Sequence, residues 1–61
     1  MTDEDFYISE INHYTNCLFD GLRRLNSAKT EDKDYWKNFI EYCKEYIYYY
    51  AENLAKLKGE K

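Results

Sequence analysis

An all-α fold, a two-helix antiparallel hairpin, is what this sequence predicts, and three observations carry the prediction. The chain has no proline and two glycines in 61 residues, so the punctuation of an all-β fold is missing. Apolar residues recur at alternating steps of three and four through both halves. Between the halves lies the polar stretch NSAKTE, Asn26 to Glu31, of the length that joins antiparallel helices. One domain follows, residues 1–61, with a helix over about 3–27, a turn over about 28–30 and a helix over about 31–58.

The first helix is marked by a stripe of Ile8, Ile11, Thr15, Leu18, Leu22 and Leu25. Thr2 is its expected N-cap, and Asp3, Glu4 and Asp5 stand in the first turn, where the helix dipole favours acids. Arg23, Arg24 and Lys29 fall near the other end, where cations belong. Asp20-Gly21 is a dipeptide common in turns. Because Leu22 and Leu25 keep the phase of Leu18, Gly21 reads as a helical residue, about 1 kcal/mol less favourable than alanine, that lets another helix come close.

The second helix starts near Thr30 or Asp32 and carries a longer stripe: Trp36, Ile40, Cys43, Ile47, Tyr50, Leu54 and Leu57. Lys56, Lys58 and Gly59 suit its C-terminus. A second row, Tyr35, Phe39, Tyr42, Tyr46 and Tyr49, runs beside the first, displaced by about 100° around the axis. In the run Tyr48-Tyr49-Tyr50, Tyr50 therefore belongs to the hairpin core, Tyr49 to the second row and Tyr48 to the rim. One partner helix covers only a narrow seam, so an apolar arc this wide needs a further partner. A second copy supplies it, giving a homodimeric four-helix bundle with Ile11, Leu18, Leu22, Trp36, Ile40, Cys43, Ile47, Tyr50 and Leu54 in the core or dimer interface.

Composition narrows the function classes. Net charge is −3 with acids and bases interleaved, which disfavours generic attraction to nucleic acid. No apolar run approaches the roughly 18 residues of a membrane span, and the acidic start MTDED is the reverse of a signal peptide. Cys17 and Cys43 are isolated thiols rather than a disulfide framework; with the acidic start they point to a cytoplasmic protein.

Glu10, His13 and Cys17 have metal-ligand spacing, but with Ile11 taken as the core direction His13 points well away from it, so no metal or other cofactor is expected. Cys17 beside His13 lacks a third orienting group, and no catalytic site is expected. What remains is an excess of tyrosine, eight residues, of a kind favoured at protein-binding hot spots. The expected function is a small regulator or inhibitor, of the sort bacteria and their phages encode, that docks on a larger protein. Tyr35, Phe39, Tyr42, Tyr46 and Tyr49 would make the contact, flanked by Glu41 and Glu45. The alternative is an RNA- or DNA-binding hairpin dimer using Arg23, Arg24, Lys29, Lys33 and Lys37 around the turn.

Overall fold

Thr2 opens the first helix by accepting a hydrogen bond on its Oγ1 from the Asp5 backbone N–H at 3.1 Å, which satisfies a donor the helix itself cannot. The computed structural model describes residues 2–59; positions 1, 60 and 61 of the expected domain lie outside them. Two helices make up the described chain, α1 (Asp3–Ser27) and α2 (Thr30–Leu57), and they run antiparallel as a hairpin.

The connection is shorter than the polar stretch NSAKTE suggested, because both helices extend into it. Ser27 stays helical with its hydroxyl donating to the Arg23 carbonyl at 3.2 Å, and the Ala28 N–H bonds Leu25 O at 3.3 Å. Ala28 and Lys29 alone turn the chain, both in extended conformation. Thr30 does not cap α2: Lys29 occupies that position without a side-chain hydrogen bond, and the Asp32 N–H bonds the Lys29 carbonyl at 2.9 Å. At the far end Gly59 takes φ +80°, the left-handed conformation that closes many helices and that glycine adopts without strain. Lys58 there reaches back to Glu4 at 3.4 Å, joining the two open ends of the hairpin.

The Asp20-Gly21 pair does not interrupt α1. Asp20 instead ties down the following turn, accepting from Arg24 Nε at 2.9 Å and lying 3.7 Å from Arg23. Gly21 is the buried residue of α1 and lies where the helices come close: a Cβ built there would lie 2.8 Å from a Phe39 ring carbon and 3.3 Å from Ile40 Cγ1. The seam of α1 is therefore centred on the side of Tyr7, Tyr14 and Gly21, rotated by roughly 70° from the row expected to face α2. Leu22, expected in the core or dimer interface, is 44% exposed in the hairpin and lies beside Lys33 and Lys37 of α2, and Ile8 is 39% exposed.

On α2 the seam runs through Ile40 and Cys43, which are 6% and 1% exposed and are the fully buried apolar side chains among the described residues. Ile11, Leu18, Trp36, Ile47, Tyr50 and Leu54 are half-buried. A single layer of two helices results, with backbone extents of 44 × 22 × 11 Å and a radius of gyration of 14.0 Å. A compact chain of this length would have a radius near 10.5 Å.

Candidate interaction surface

Rotation of α1 divides the hairpin into two unlike faces. In an antiparallel pair, side chains displaced to the same side of both seams share a face. Ile8, Ile11, Thr15 and Leu22 of α1 fall with Ile40, Ile47 and Ala51 of α2 on one side, by their helical phase. Tyr14, Phe6 and Glu10 fall with Phe39, Tyr42, Tyr46 and Tyr49 on the other. By the same phase Lys33, Lys37 and Lys44 share the first side, so one face carries aliphatic side chains edged by lysines and the other is aromatic.

Tyr14 organises the aromatic face. Its ring stacks on Tyr46, with centroids 4.9 Å apart and planes 11° from parallel, and meets Tyr42 at 6.3 Å and Tyr50 at 6.1 Å. Tyr42 and Tyr46 are themselves in edge contact at 4.7 Å, while Phe6 and Tyr7 extend the cluster from the start of α1 to Tyr50. The expected five-residue row consequently splits. Phe39 and Tyr46 turn toward α1 and are half-buried, whereas Tyr35, Tyr42 and Tyr49 are 64%, 49% and 59% exposed. Tyr48 is exposed on the far side of α2.

Phe6, Tyr7, Glu10 and Tyr14 are not among the residues expected at this surface, because the aliphatic row of α1 points to a different inner face. The signal was present: Tyr7, Tyr14 and Gly21 are seven residues apart and so recur on one line of a helix.

The tyrosine hydroxyls report a crowded, negative setting. Partial burial pushes the pKa of Tyr14 up, helped by Tyr50, Tyr46 and Glu10. Tyr50 is raised first by burial and then by Glu10 and its tyrosine neighbours. For Tyr46, hydrogen bonding with Tyr42 is the largest cause, followed by the Tyr42 charge, burial and Glu45. Glu45, Tyr46, Tyr49 and Tyr50 together line an open cleft of about 550 Å³. Glu41, the other expected flanking acid, is turned to Lys44 at 3.5 Å.

Elsewhere the groups with chemical potential are dispersed. His13 Nε2 lies 3.9 Å from Cys17 Sγ, and no cluster of three metal-ligating side chains occurs among the described residues. Cys43 is a buried thiol whose pKa is raised by burial and by Cys17. At the turn, Arg23 and Arg24 are both drawn to Asp20, and Arg24 also lies over the Trp36 ring at 5.4 Å. Lys33 and Lys37 line a shallow cleft of about 370 Å³ with Leu22, Leu25 and Asn26. No described helix is long and apolar enough to cross a membrane.

Compared with protein-family models, curated proteins and solved structures, the chain matches none.

Proposed function

We propose that the chain is a small protein-binding regulator or inhibitor that pairs with a second copy through its aliphatic face and docks on a larger protein through its aromatic face. The observation that carries this reading is the exposure of Tyr35, Tyr42 and Tyr49 beside the half-buried Phe39, Tyr46 and Tyr50. Rigid rings held by stacked neighbours give large contact area at low entropic cost on binding, which is why tyrosine is enriched at hot spots.

Self-association is supported by area. The chain exposes 4892 Å², about 650 Å² more than the roughly 4,250 Å² expected of a compact monomer of 7.5 kDa. That excess approaches the ~800 Å² per partner buried in a standard interface. A second hairpin laid on Ile8, Ile11, Leu22 and Ile47 would convert the single layer into a four-helix bundle and leave the tyrosines free.

The test is retention of a partner from extracts of the source cell, followed by affinity measurement with the retained protein. Tyr42→Ala and Tyr49→Ala should each weaken that affinity by about 2 kcal/mol or more while leaving the melting temperature and dimer unchanged. Full affinity in both variants would reject the aromatic face as the docking site.

A further inference from the structure

Glu10 and Glu45 stand at the aromatic cluster without a cation. Asp20 is matched with Arg23 and Arg24, Glu41 with Lys44, Glu52 with Lys56 and Glu4 with Lys58, while Asp3, Asp5, Glu31, Asp32 and Asp34, also unpaired among the described residues, stand near the helix starts and away from the tyrosine cleft. Glu45 and Glu10 have no such pair among the described residues, yet Glu10 is half-buried and raises the pKa of both Tyr14 and Tyr50. Glu45 does the same to Tyr46. A field that opposes a phenolate favours a cation, and the faces of tyrosine rings attract one as well.

The chain contains its own example of the missing arrangement. At the other end of the hairpin Arg24 donates to Asp20 at 2.9 Å with its guanidinium over Trp36, so carboxylate and ring hold one cation together. The cleft of Glu45, Tyr46, Tyr49 and Tyr50 has the carboxylate and the rings, and no cation pairs with Glu45 among the described residues.

We propose that this cleft receives an arginine side chain of the protein partner, the guanidinium lying against the tyrosine rings and donating to Glu45, with Glu10 adding negative potential from α1. Arginine fits better than lysine because its planar group stacks on a ring and donates to a carboxylate at the same time. The proposal rests on the aromatic face being the docking surface and adds the chemistry of what docks there.

The probe is an acetylated, amidated (Gly-Arg)₃ peptide, titrated into the full chain while the aromatic-ring NMR signals of Tyr46, Tyr49 and Tyr50 are followed. The same peptide with citrulline in place of arginine keeps the shape and removes the charge. Saturable movement of those ring signals is expected with the arginine peptide alone, weakened about fivefold by Glu45→Gln and unchanged by Glu52→Gln, the size of an exposed ion pair. Equal shifts with both peptides, no shift with either, or equal weakening by the two glutamine variants would overturn it. If the arginine peptide fails while Tyr42→Ala and Tyr49→Ala still lose the cellular partner, arginine is excluded and the docking face stands. Loss of both results removes the face as well.

Discussion

Tyr14 shows most clearly what a single side chain does here. It is the α1 ring that stacks directly on the tyrosine row of α2, and its hydroxyl shares a negative setting with those of Tyr46 and Tyr50. All three have pKa values raised above the ordinary tyrosine value, so the unfolded chain gives up these protons more readily. Stability from this source is fully present below about pH 10 and is lost as pH rises through the raised folded values. A melting temperature level across neutral pH and falling above pH 10 is the expected result, with tyrosinate absorbance appearing later in the folded chain than in urea. Identical tyrosinate titrations in the folded and unfolded chain would contradict the packing of the cluster. Little of this was legible beforehand, because hydropathy ranks a tyrosine below an isoleucine and gives no reason to bury Tyr14 as far as Ile11, although both are half-buried.

At the scale of the helices, Gly21 decides the geometry. Alanine there would gain about 1 kcal/mol of helix propensity, but its methyl would sit 2.8 Å from the Phe39 ring and 3.3 Å from the buried Ile40. Overpacking of this kind costs typically 1–3 kcal/mol, so Gly21→Ala should lower stability by up to about 2 kcal/mol on balance. A higher melting temperature in that variant would mean that the helices are not so close. The existence of two helices and their polar junction was legible from the three-four spacing and from NSAKTE. The rotation of α1 was legible only in the seven-residue spacing of Tyr7, Tyr14 and Gly21, which an apolar stripe passes over because a glycine contributes nothing to it. α2 kept its expected inner face because Ile40 and Cys43 are both apolar and both central.

The whole molecule is a hairpin one helix thick that buries few side chains completely. Each α-helix buries a stripe against another element, and this layer carries apolar groups on both faces. The two faces differ in kind, and under the proposed function they take different occupants: a second copy on the side of Ile8 and Leu22, and a protein partner on the tyrosines. Leu22 separates the two roles experimentally, because it is 44% exposed and lies beside Lys33 and Lys37, so an aspartate there should leave the hairpin itself intact. Sedimentation equilibrium of the wild-type chain, Leu22→Asp and Tyr49→Ala is the most direct test of this division. The account predicts twice the 7.5 kDa chain mass for wild type and Tyr49→Ala, and a helical monomer for Leu22→Asp. A well-folded wild-type monomer at high concentration, or a dimer that Tyr49→Ala dissociates and Leu22→Asp does not, would contradict it.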